Sequence, residues 1–156
     1  MLSTINPHAN IYVYEFAALS EPFRASSHGD QARVVAHEAS LSQAGPGLIE
    51  VADEMSLRWG KFAASPDGKL AEDLWPRFVT PFEHSPSNSD FKLKTGADAV
   101  GTGKILVFGD GNDEANGGRD YGTPVKTRTL TDYEIKQCQF WWERMHLSQG
   151  MGQPTT

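Results

Sequence analysis

His28 stands in the stretch PFRASSHGDQARVVAHE, Pro22 to Glu38, between two serines and a Gly-Asp-Gln trio. An imidazole changes charge near neutrality, so on an accessible loop it can take a proton and return it. The stretch follows an apolar segment, Ile11 to Ala17, and leads into the helical segment ARVVA. In a parallel sheet, the loops after the carboxyl ends of strands are where reacting groups gather. Position therefore makes His28 the candidate for acid–base chemistry, the alternative being a loop histidine with no chemical task. The other four have plain readings. His8 and His84 fall in polar loops, His37 on a short helix, and His146 near a helix C-terminus, where the dipole favours a protonated imidazole.

Other chemistry-bearing patterns fail on spacing. GDGNDEANGGRD, Gly109 to Asp120, has Asp110 and Asn112 where a calcium loop places its first two ligands. Ala115 then replaces the turn glycine and Tyr121 the closing bidentate glutamate, so the stretch reads as a turn-rich surface loop. GTGK at Gly101 lacks the first glycine and the trailing hydroxyl residue of a phosphate loop. Cys138 lies on the apolar stripe of a helix, where a thiol serves as a small hydrophobe. Trp141 and Trp142 point to different sides of that helix, and packing in the core and in a groove accounts for both. No metal or cofactor is expected.

The elements that must hold His28 are only partly visible. Ile11 to Ala17, IYVYEFA, is β-branched and aromatic on both faces, which predicts a strand buried on both sides. Lys104 to Phe108, KILVF, is a second strand and FKL at Phe91 a short third. From Pro46, Leu48, Val51, Met55, Trp59 and Phe62 recur at steps of three or four until Ser65-Pro66-Asp67-Gly68, an amphipathic helix with clear ends. Thr131 and Glu134 form a capping-box pattern ahead of the stripe Ile135, Cys138, Trp142 and Met145, with Gly150 at the exit. Between the helices, Pro76 to Gly103 reads as irregular loop around FKL.

The chain of 156 residues is expected to be one domain with a modest core, since 38% of it is hydrophobic. Its net charge of −6 favours neither a phosphate backbone nor an anionic lipid surface, so nucleic acid is an unexpected partner. A single cysteine forbids an internal disulfide and is silent on compartment. No segment reaches the roughly 18 consecutive apolar residues of a membrane span, and Met1 is not followed by the regions of a signal peptide.

The order of landmarks resembles the C-terminal part of the type B carboxylesterase/lipase family, the α/β-hydrolases that include cholinesterases and many fungal esterases. YVYEF precedes a loop with SHGDQ; LIEVADEMSLRWGKFAASPDG and LWPRF follow, similar to a "W..FA..G.P" and "WP.F" passage; IKQCQFWWERM is similar to a closing "C.FW" helix. ILVFGDGNDE and GTPVKTRTLT look like the fungal branch, and the likeness runs roughly from residue 10 to 150. It implies an α/β fold, the C-terminal part of an α/β-hydrolase with an incomplete sheet and covering helices, spanning 1–156 with 151–156 as a disordered tail. It implies that His28 is the general base of a Ser-acid-His carboxylic-ester hydrolase, with secretion by family analogy. Asp30 and Gln31 stand where many relatives have a small residue and an acid, although Asp30 also suits the N-cap of the next helix.

The nucleophile elbow G-x-S-x-G and an HGGG-type oxyanion loop are absent from these residues, and the family's acid lies upstream of its histidine. A base without its nucleophile has nothing to acylate, so the isolated chain is expected to be inactive. With sheet edges and helix faces uncovered it is also expected to be marginally stable or prone to aggregate. The alternative is a non-catalytic remnant or interaction protein of the same fold. Relatives often tie the closing-helix cysteine to an upstream partner, and here Cys138 would be unpaired.

Overall fold

The computed structural model describes residues 9–19, 26–38, 41, 43, 45–84, 91–142 and 144. The elements in chain order are β1 (Tyr14–Phe16), α1 (Asp30–Val35), α2 (Pro46–Ala64), β2 (Phe82–His84), β3 (Phe91–Leu93), β4 (Lys104–Asp110), β5 (Thr123–Thr129) and α3 (Asp132–Trp142). The main sheet has the order β1-β4-β5, with β1 parallel to β4 and β5 antiparallel to it, while β2 and β3 form a separate antiparallel pair. The class is mixed α/β.

α2 forms where the periodicity places it. Pro46 occupies the first turn, where its missing N–H costs nothing, and Ser65 leaves the helix in an extended conformation ahead of Pro66. The face it presents to the sheet is Leu48, Val51, Ala52 and Met55, all buried, together with the stem of Arg58. Each large apolar side chain so buried contributes about 1.5 to 3 kcal/mol. Opposite lie Leu106 and Phe108 of β4, with Val34 of α1 and Trp75 completing the core. Around Trp75 the aromatic rings meet edge-on, with Trp59 at 5.4 Å, Phe108 at 5.9 Å and Tyr14 at 6.0 Å between centroids, the geometry that ring quadrupoles favour.

The other face of the sheet is held differently. Ile105 and Val107 are buried there, yet their register neighbours are Glu15, Lys126 and Arg128. Arg128 reaches Glu15 on β1 at 2.6 Å and Glu134 on α3 at 2.6 Å, a charged strap that ties both flanking strands and the last helix across β4. Glu134 also closes the capping box, accepting from the Thr131 amide at 2.7 Å.

Several expectations need correction. The strand expected over Ile11 to Ala17 pairs only at Tyr14–Phe16, and Glu15 is exposed, so β1 is packed on one face rather than two. Among the described residues no strand pairs with its other edge. FKL is β3 as expected, but the supposed irregular passage from Pro76 also contains its partner β2, and β5 runs through Thr-Pro-Val-Lys-Thr-Arg-Thr, whose polar alternation hid it. Of the α3 stripe, Ile135 is half-buried and Cys138 is exposed, so neither is the buried core position expected of it. Trp141, expected to be packed, is 68% exposed, with the Phe140 ring at 5.3 Å. The Trp142 side chain, Met145, Gly150, His8, His146 and the tail 151–156 lie outside the described residues. No described helix is long and apolar enough to cross a membrane.

Candidate functional site

His28 sits on a tight turn between the carboxyl end of β1 and the start of α1. The Asp30 amide donates to the Ser27 carbonyl at 3.3 Å, and Gly29 holds φ +90°, ψ −10°. That is the third-position geometry of a type II turn, which requires glycine, and it puts His28 at the outer corner. An added Cβ at Gly29 would meet nothing within 4 Å, so glycine is needed there for its backbone angle rather than for space. The imidazole is exposed.

Backbone and side-chain hydrogen bonds tether the turn to the sheet. Ala17 donates its amide to Phe108 O at 2.8 Å and Leu19 to Asn112 O at 2.9 Å, continuing the parallel β1–β4 contact past the strand ends. Ser26 Oγ donates to Ala18 O at 2.7 Å, bringing the chain back to the same place. Asp30 turns its carboxylate onto the Ser27 amide at 2.7 Å. The N-cap position of α1 is Gly29, and Asp30 is the first helical residue, so Asp30 braces the turn instead of capping the helix. Downstream, Val34 is buried and Ser56 Oγ of α2 donates to Val35 O at 2.8 Å, fixing the far end of α1.

No described residue hydrogen-bonds to the His28 ring. The histidine–carboxylate pair among the described residues is a different one: His37 Nε2 lies 2.8 Å from Asp53 Oδ1 on α2. His37 is at φ +54°, with its amide on Val34 O and the Glu38 amide on Arg33 O. Those two bonds are a Schellman closure with histidine in the position that usually holds glycine. Both partners are substantially exposed, so the pair links α1 to α2 from the outside. Sequence reasoning missed it because His37 and Asp53 come together only when the two helices do.

The Gly109–Asp120 loop is a structural lock. Asn112 is fully buried, and its amide donates to Glu114 Oε2 at 2.9 Å and Tyr121 O at 3.0 Å. Glu114 Oε2 accepts in turn from the Leu48 amide at 2.6 Å, serving the free N-terminal turn of α2, whose own N-cap, Gly45, has no side chain. Asp113 Oδ1 accepts from the Asp120 amide at 2.9 Å. Among the described residues no three of His, Cys, Asp and Glu converge as a metal site would require.

One apolar groove of about 230 Å³ is lined by Asn10, Ile11, Tyr12, Trp59, Phe62 and Trp75. Its strand residues, Ile11 and Tyr12, precede β1, whereas His28 follows the carboxyl end of that strand. His28 is not among its lining residues. No family model, curated protein or solved structure matches this chain.

Proposed function

We propose that this chain is the C-terminal part of a serine carboxylic-ester hydrolase of the type B carboxylesterase/lipase kind, with an α/β-hydrolase fold and His28 as general base. The observation that carries the reading is the exposed imidazole at the corner of a braced turn, beyond the carboxyl ends of two parallel strands. In that role His28 takes the proton from the attacking serine hydroxyl as the acyl–enzyme bond forms, then passes it to the departing alkoxide. In deacylation it takes a proton from water and returns it to the serine. The nucleophile, the oxyanion donors and the acid that orients the ring come from upstream residues. The substrate is a carboxylic ester, and secretion follows by family analogy.

The test is activity-based labelling of native extract with a fluorophosphonate probe, read with an antibody against α3. A labelled band much heavier than this chain that carries the epitope supports the reading, and labelling lost in His28→Ala assigns the base. The isolated chain should show no saturable hydrolysis of a p-nitrophenyl ester. Such turnover, abolished by His28→Ala, would overturn the account of the missing nucleophile.

A second reading, a non-catalytic interaction protein of the same fold, draws on α3. Tyr133, Phe140 and Trp141 are all exposed on it. An unlabelled species of this chain's own size would favour that reading.

A further inference from the structure

We propose that Asp30 is the positioning residue for His28, acting through the Ser27 amide, with Ser26 as a second anchor. The inference rests on the esterase reading for its catalytic meaning, and its physical content is a clamp on the turn.

An exposed imidazole that no described residue hydrogen-bonds takes its location from the backbone that carries it. That backbone is closed on itself by two bonds in opposite directions. The Asp30 amide donates to Ser27 O, and the Ser27 amide donates to Asp30 Oδ2. His28 and Gly29 are the two residues enclosed. The bond to the carboxylate is the shorter, 2.7 Å against 3.3 Å, as expected for an ionised acceptor. Without it, direct closure of Ser27 on Asp30 would rest on one long backbone bond, with Ala32 on Gly29 O at 2.9 Å tying the turn to α1.

Ser26 supplies the link from this ring to the sheet. Its hydroxyl bond to Ala18 O, together with Ala17 on Phe108 O and Leu19 on Asn112 O, refers the turn to the carboxyl end of β4. The path from the sheet to the imidazole thus runs β4, Ala18, Ser26, Ser27 and the Asp30 carboxylate. A general base displaced by about 1 Å loses on the order of 100-fold in rate, so bonds that define the turn become kinetic determinants without touching substrate.

The experiment places Asp30→Ala, Asp30→Asn, Ser26→Ala and His28→Ala in the native polypeptide that carries this chain. It measures the rate constant of fluorophosphonate labelling, deuterium exchange at the Ser27 amide and the thermal midpoint. Asp30→Ala should slow labelling by about 10- to 100-fold and speed Ser27 exchange by about tenfold, with little change in midpoint. Asp30→Asn keeps an acceptor oxygen and should recover most of the rate, which a role through charge or helix stability would not allow. Ser26→Ala should fall between. Labelling at the parent rate in Asp30→Ala, while His28→Ala abolishes it, overturns the positioning role and leaves His28 as base. Labelling unaffected by His28→Ala overturns the esterase reading, and Ser27 exchange then decides the clamp by itself. Should Asp30→Ala fail to fold, Asp30→Asn and Ser26→Ala carry the same comparison.

Discussion

Replacing Glu114 by alanine removes a carboxylate that serves two elements at once. Its Oε2 accepts from the Leu48 amide in the first turn of α2 and from the side-chain amide of Asn112, which has no exposed surface. Leu48 then loses what is in effect an N-cap supplied from 66 positions away, worth about 1 kcal/mol. Asn112 keeps its bond to Tyr121 O but loses the other partner of a buried amide, which adds about 1 to 2 kcal/mol. The expected loss is roughly 2 to 3 kcal/mol in all, or about 4 to 12 °C in thermal midpoint for a chain of this size. Glu114→Gln retains a carbonyl oxygen and should cost no more than about 1 kcal/mol. Urea unfolding followed by tryptophan fluorescence measures both. An alanine variant within about 0.5 kcal/mol of the parent, or a glutamine variant as damaging as alanine, would refute the lock.

The αL closure of α1 makes His37→Gly the more stable of two neighbouring substitutions. Glycine and alanine both give up the exposed pair with Asp53, but only alanine keeps a Cβ at φ +54°. Glycine should exceed alanine by about 1 kcal/mol in urea unfolding, and the opposite order would exclude strain at His37. The strap at Glu134 predicts an acid-sensitive contribution. Hydrogen bonding from Arg128, then from the Thr131 amide, lowers its carboxyl pKa from 4.5 to about 2. A lowered folded value stabilises fully above the unfolded one, so the contribution is complete above pH 4.5 and disappears as pH falls toward 2. After allowance for solvent screening it is worth about 1 kcal/mol. Glu134→Gln should flatten the stability profile in that window, and an unchanged profile would remove Glu134 from the acid response.

The candidate site was legible in the sequence as far as a position: His28 stands after an apolar strand, among small residues, and the structure puts it on a turn beyond the end of β1. Its bracing was half visible. Asp30 reads from the sequence as a helix cap because an acid beside a glycine before an apolar run is the usual pattern for one. Which amide it serves depends on a turn angle at Gly29 that composition does not specify. The pair of His37 with Asp53 had no sequence signal, since neither residue type nor spacing marks partners on separate helices.

What this sequence determined by itself is the set of features whose physics acts within one or two turns of chain. Proline at the head of α2, its stripe of Leu48, Val51 and Met55, the Thr131–Glu134 capping box and the apolar run of β4 all appear where periodicity and caps place them. Tertiary structure decided the rest. It made a strand of β5 by pairing polar residues with β4, turned β1 into a strand packed on one face, left Cys138 of α3 exposed and capped α2 from the Gly109–Asp120 loop. These outcomes depend on which surfaces meet, and contacts between residues distant in the chain are set by the packing of the whole rather than by any short stretch within it.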